Sequence, residues 1–202
     1  MKNKKSSQKN INWLVKVAML GAVATVLMLL EFPLPFIAPP FYELDFSEVP
    51  VLVGAFALGP VAGVVIEAIK ILMNFLINGT ITAGVGELAN FVIGVSFVLP
   101  AALIYKRKKS KKSAVIGLVI GGLTMVILGC FVNAFVMLPV YVKALGIPMN
   151  VLVGMAAKIH PSIDSVFEFV ALCVVPFNLL KAILLSVITI ILYKPMSPVL
   201  KG

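Results

Sequence analysis

Apolar residues run through this chain in six stretches, at residues 13–30, 49–58, 60–77, 84–105, 113–141 and 167–193, joined by tight or basic links on one side and by longer loops, at 31–48, 77–83 and 142–166, on the other. Polar residues that could have stayed outside are planted within or near the ends of these stretches. About 20 mainly apolar residues cross a bilayer as a helix, so the pattern predicts six transmembrane helices. The stretch at 49–58 is short and needs flanking loop, or a thin local bilayer, to cross, and Gly59-Pro60 breaks it from the next. The stretch at 113–141 has length to spare for tilt or for a bend near Pro139. Mean hydropathy is +1.11 and 61% of residues are hydrophobic, more than a soluble domain of this size can bury. The expected fold class is an all-α integral membrane protein, one domain over residues 1–202 with residues 1–12 as a basic tail.

Charge adds orientation. Lys2, Lys4, Lys5 and Lys9 precede the first stretch, residues 106–112 after the fourth are almost all Lys or Arg, and Lys194 and Lys201 follow the sixth. With six spans these clusters share a side, which the positive-inside rule makes cytoplasmic, together with both termini. The acids Glu31, Glu43, Asp45, Glu48, Asp164 and Glu168 fall in or beside the opposite connections. The net charge of +9 therefore concerns topology and anionic lipid; the basic runs lack the interleaved aromatics of a nucleic-acid surface, so no nucleic-acid partner is expected. Ala22-Val-Ala24 has the look of a cleavage site, but the apolar run continues past it, longer than a signal peptide requires. Cys130 and Cys173 fall mid-helix and read as small buried hydrophobes.

The outer connections carry the unusual chemistry. Residues 31–50 hold five prolines and five aromatic rings: a stiff loop loses little entropy on closing, and rings offer faces to a flat solute, although aromatics also gather at membrane interfaces for simpler reasons. Asn78-Gly-Thr80 reads as a tight turn.

Polar residues inside the spans narrow the function further. Glu67, Lys70 and Asn74 share one helical face, and Glu67 and Lys70 are spaced to neutralise each other. Gly84, Glu87 and Gly94 mark a face on the fourth helix, Asn133 stands alone in the fifth, and Asn178 and Lys181 lie three apart on the sixth. An intramembrane lysine with no acid on its own helix is a functional hypothesis by default; pairing with Glu87 or Glu67 on another helix is the structural alternative. An asparagine amide offers both donor and acceptor, and lysine three donors, a set able to read a heteroaromatic edge of carbonyl, N–H and carbonyl. There is no phosphate-binding Gly-x-x-x-x-Gly-Lys loop. His160 has no second histidine or cysteine nearby, so no metal site is expected. Nor is there a Ser-His-acid set. The task expected is binding, not catalysis.

Three segments then carry a resemblance: Phe-Tyr-Glu-Leu-Asp-Phe-Ser-Glu-Val-Pro at 41–50, Gly-Ala-Phe-Ala-Leu-Gly-Pro at 54–60, and Thr-Ala-Gly-Val-Gly-Glu-Leu-Ala-Asn-Phe at 82–91. Through them, and through nearly the whole chain, the sequence resembles the riboflavin-specific S components of energy-coupling factor (ECF) transporters. The resemblance implies six helices in a bacterial cytoplasmic membrane and a site for riboflavin, as transported ligand and not cofactor, near the outer face. It implies partnership with a transmembrane T component and two cytoplasmic ATPases. It places Asn133, Asn178 and Lys181 against the flavin, makes the first loop a lid, and adds Asp45, Thr80 and Glu87 to the site. Small residues on the first helix, Ala18, Gly21 and Ala22, would meet the T component, a pattern that ordinary internal packing also produces. An S component for thiamine or a folate, a membrane enzyme for lipid-linked substrates, and a self-sufficient transporter are the alternatives; the last usually shows two related halves, which this sequence lacks.

Overall fold

The computed structural model describes residues 2–201, with side chains described for residues 8–200; the side chains of Lys2, Lys4, Lys5 and Lys201 lie outside these. Backbone polar groups in lipid must be satisfied within the chain, and the structure meets this with helices: α1 Lys2–Met28, α2 Glu48–Leu58, α3 Pro60–Asn78, α4 Val85–Arg107, α5 Lys111–Val132, α6 Leu138–Leu145, α7 Met149–Ala157, α8 Val166–Phe169 and α9 Val175–Lys201. The backbone of the expected basic tail is thus already helical from Lys2. One departure from an all-α chain is a two-residue antiparallel pair inside the first loop, β1 Phe32–Pro33 with β2 Glu43–Leu44, in which Phe32 faces Leu44.

Five helical units are long and apolar enough to cross a membrane: Gln8–Met28, Pro60–Asn78, Val85–Arg107, Lys111–Leu145 and Val166–Leu200. Of the six expected spans, the second, at 49–58, falls short of that length, as its short apolar stretch implies. Helix α2 has 11 residues, a length of about 16 Å at about 1.5 Å per residue, half of a hydrocarbon core of about 30 Å. Every residue from Glu48 to Phe56 is buried, because a helix apolar on all sides is stable only when surrounded. It stands inside the bundle, with α1, α3, α4 and α9 around it. Gly59, at φ 108°, turns the chain, and Pro60 opens α3.

In lipid the hydrophobic effect does not drive helices together, and close packing of small residues takes over. Helices α4 and α5 form a tight hairpin because Gly117 and Gly121 lie on the α4 backbone: a Cβ on Gly117 would sit 2.6 Å from the Ala101 carbonyl oxygen, and one on Gly121 would strike that of Phe97. Two bonds bring the basic ends together. Lys16 Nζ donates to the Leu200 carbonyl at 2.9 Å, and the Tyr105 and Tyr193 hydroxyls meet at 2.9 Å. The third outer connection, expected as loop over 142–166, contains the end of α6 and all of α7.

Candidate ligand-binding site

At the end of the bundle away from the basic clusters, the first loop covers a cavity of about 270 Å³ between α4, the α5–α6 rod and α9. Of the expected site residues, Asp45, Glu87, Asn133, Asn178 and Lys181 line it and Thr80 does not. Thr80 stands behind, donating from Oγ1 to Glu87 Oε2 at 3.0 Å and accepting from the backbone N–H groups of Thr82 and Gly84 at 3.1 Å. It holds Glu87 at the cavity edge.

The asparagines converge on Gly129. Asn133 Nδ2 donates to the Gly129 carbonyl at 2.8 Å, and the Asn178 amide nitrogen lies 2.9 Å from where a Gly129 Cβ would be. Both helices carrying these amides are locally unwound to a π-helical turn, Asn133–Met137 on one and Val170–Val174 on the other. Such turns are frequent at functional sites, since the extra residue redirects the side chains beyond it.

The loop reaches both polar anchors. The Tyr42 hydroxyl donates to Asn133 Oδ1 at 2.8 Å, and Lys181 Nζ donates to Asp45 Oδ2 at 2.8 Å. Asp45 Oδ1 also accepts the Ser47 backbone N–H at 2.7 Å. Burial by itself would raise the Asp45 carboxyl, but the charges of Lys181 and then Lys70 outweigh it and hold the group at about 2. Glu31, at the mouth, behaves oppositely: burial, then the like charges of Glu43 and Asp45, push it up to about 7. Beneath the loop, Lys70 bridges Glu48 and Glu67 at 2.8 Å each with all three side chains buried. The expected pair of Glu67 and Lys70 is therefore present, joined by Glu48, while Lys181 takes its acid from the loop rather than from another helix.

Five carboxyl residues line the cavity, Glu31, Glu43, Asp45, Glu48 and Glu87, against one lysine, Lys181. Its apolar walls include Met125, Met137 and Phe177, and aromatic rings close its roof, Tyr42 lying 5.6 Å from Phe177 and Phe41 5.1 Å from Tyr141. The volume falls just under the roughly 300–1,000 Å³ usual for small-molecule pockets, and the combination suits a flat, neutral, hydrogen-bonding solute.

Tyr42 and Glu48 line the candidate site without standing out in the sequence. Tyr42 was one ring among five in the loop, with nothing local to distinguish it. Glu48 read as a loop acid, and only the fold turns it inward to Lys70. On α1, Ala18 and Ala22 are exposed, whereas Gly21 is buried against Ile69 of α3.

The ECF transporter substrate-specific component family matches residues 12–193. The chain is 37% identical over 188 residues to the riboflavin transporter RibU of Staphylococcus aureus (strain TCH60), covering 93% of this chain and 92% of that one. It is 35% identical over 186 residues to the riboflavin transporter FmnP of Bacillus subtilis (strain 168), covering 92% of each. A solved structure described as "Structure and mechanism of the S component of a bacterial ECF transporter" superposes over 100% of both chains with a TM-score of 0.72 at 37% identity.

Proposed function

This chain belongs to the substrate-specific (S) components of ECF transporters, and on that premise we propose that it is the substrate-capture subunit for riboflavin uptake. It binds its ligand and performs no chemistry on it. The observation that carries the reading is the convergence of Asn133, Asn178 and Lys181 in one cavity under an aromatic loop, joined to the riboflavin transporters among its relatives.

In the proposed complex the isoalloxazine ring lies between the Tyr42–Phe177 side and the methionines, its carbonyl/N–H/carbonyl edge toward the two amides. Asn133 Oδ1 already accepts a hydroxyl from Tyr42, so the ring edge either displaces this donor or shares the oxygen's second lone pair. Lys181 has three protons and spends one on Asp45, leaving donors for ring or ribityl oxygens. The acidic lining favours neutral riboflavin over a phosphorylated flavin, because a phosphate dianion would face five carboxyl groups, of which Lys181 pairs with Asp45 and Lys70 with Glu48.

The cavity lies at the end opposite the basic clusters, which the positive-inside rule assigns to the cytoplasm; in a bacterial cell membrane the site then opens outward and both termini lie on the cytoplasmic side. Membership of the ECF family implies delivery inward with a T component and two ATPases; the sequence itself holds no phosphate-binding loop. The exposed small residues Ala18 and Ala22 give the T component a surface for close approach.

The first test is the visible spectrum of protein purified in detergent from cells grown with riboflavin. Flavin bands that disappear on denaturation, with near-stoichiometric riboflavin released, are the expected result. Colourless protein that also fails to quench added riboflavin fluorescence would overturn the assignment and turn attention to other flat vitamins.

A further inference from the structure

At the end of the bundle remote from the loop, the inner ends of α2, α4 and α9 and the start of α5 enclose a second cavity of about 620 Å³, more than twice the volume of the first. Its floor is aromatic, with Phe56 at 4.7 Å from Tyr105 and 5.7 Å from Tyr193 between ring centroids. Its rim carries Lys109, Lys111 and Lys194. Its side walls include Val115, Ile190 and Ile191, which are exposed on the helix surfaces that hydrocarbon must cover. The cavity thus opens at once toward the aqueous boundary and toward acyl chains.

Among the described residues, no carboxylate lines this cavity to balance the three lysines; the chain's acidic residues occupy positions 31, 43, 45, 48, 67, 87, 164 and 168. Three ammoniums held on one rim repel each other, and the N-terminus of α5, which begins at Lys111 behind its Ser110 cap, adds the positive end of a helix dipole. The anion that balances them must come from outside, and it must tolerate an apolar floor and wall. Topology alone does not explain the arrangement. Lys106, Lys108 and Lys112 belong to the same basic run and satisfy the positive-inside rule equally, yet they do not line the cavity.

The geometry points to a binding site for one anionic phospholipid, its phosphate among Lys109, Lys111 and Lys194 and one acyl chain along Val115, Ile190 and Ile191. Basic pockets between helix ends hold such headgroups by the same attraction that draws basic segments to anionic membranes. The lipid would tie α2, α4, α5 and α9 together at the end where loops are short and charge repulsion is greatest.

Native mass spectrometry of the purified protein tests this, with phosphatidylglycerol, phosphatidylcholine and inorganic phosphate as probes. One phosphatidylglycerol per protein, held in preference to phosphatidylcholine and not displaced by millimolar phosphate, is expected. The K109Q/K111Q/K194Q variant should hold it roughly tenfold or more weakly, while K106Q/K108Q/K112Q, with the same charge removed outside the cavity, should hold it as the parent does. Ser197→Phe fills the cavity from its wall without changing charge and should also expel the lipid. Cooperative thermal unfolding of each variant confirms that it folds. Equal loss in both lysine triples would reduce the effect to diffuse attraction and overturn the site. Displacement by phosphate would assign the lysines to a free anion, and equal binding of both lipids would remove the headgroup from the interaction.

Discussion

Lys181 has two duties, and they can be separated. It faces the cavity, and it neutralises Asp45, which is 3% exposed. Lys181→Ala should weaken riboflavin binding tenfold or more in a fluorescence-quenching titration, since a hydrogen bond from a charged donor contributes about 1.5–3 kcal/mol and each tenfold is about 1.4 kcal/mol. It also abandons a buried carboxylate, so thermal stability should fall with it. Adding Asp45→Asn should restore the stability and leave the affinity weak; recovery of both would mean that the lysine serves only the ion pair. Because Asp45 titrates at about 2 against 3.8, its pairing contributes fully above pH 3.8 and is lost only as pH falls toward 2, so it is constant over physiological pH. Glu31 is the group that moves. Raised to about 7, it is neutral below that pH in the folded protein and ionised above it. Its contribution to stability declines as pH rises from about 4.5 to 7, while the mouth of the cavity becomes more negative. Discrimination against riboflavin phosphate should therefore sharpen as pH rises through 7, and Glu31→Gln should flatten that profile in competition titrations between pH 5.5 and 8.5.

At the scale of elements, the α5–α9 contact sets the spacing of the two amides. A methyl group on Gly129 would lie 2.9 Å from Asn178 Nδ2, so Gly129→Ala should push that amide aside. About a tenfold loss of riboflavin affinity with a nearly unchanged melting temperature is expected, since displacing one hydrogen-bonding group costs about 1–2 kcal/mol. The five long spans were legible in the sequence because hydrocarbon demands length and uniform apolarity, and both are local properties. So were Asn133, Asn178 and Lys181, since a polar group in an apolar helix stands out wherever it occurs. The burial of α2 was not legible, because a helix apolar all round looks the same whether lipid or protein surrounds it. Nor were the π-helical turns beside the asparagines, or the inward turn of Glu48, which depend on tertiary neighbours. Gly21 shows the same limit. Its spacing from Ala18 and Ala22 suggested one surface, but helix geometry turns it inward to Ile69 while the two alanines stay outside.

For the molecule as a whole, charge divides the bundle into a basic end and an acidic end, with a cavity at each. The proposed capture site at one end and the proposed coupling face on α1 can therefore be tested separately. The variant A18L/A22L thickens the exposed face of α1 by several methyl groups without approaching the flavin cavity. Riboflavin affinity should remain unchanged, and ATP-driven uptake should fall several-fold in cells or vesicles containing the T component and ATPases, because small residues set how closely two helices approach in lipid. Uptake equal to the parent would move the coupling surface away from this face of α1.

The ion pair between the first loop and α9 also has a kinetic meaning. If Asp45 and Lys181, both largely shielded from water, must separate before riboflavin enters, a ligand at the mouth waits for the loop to lift. Capture is then gated: its observed rate climbs with riboflavin at first and levels off at the frequency with which the loop lifts. Salt, which screens exposed charges beyond about 8–10 Å, scarcely alters that ceiling. Were the pair to re-form over the vitamin, the same step would govern escape, and the dissociation rate should slow with it.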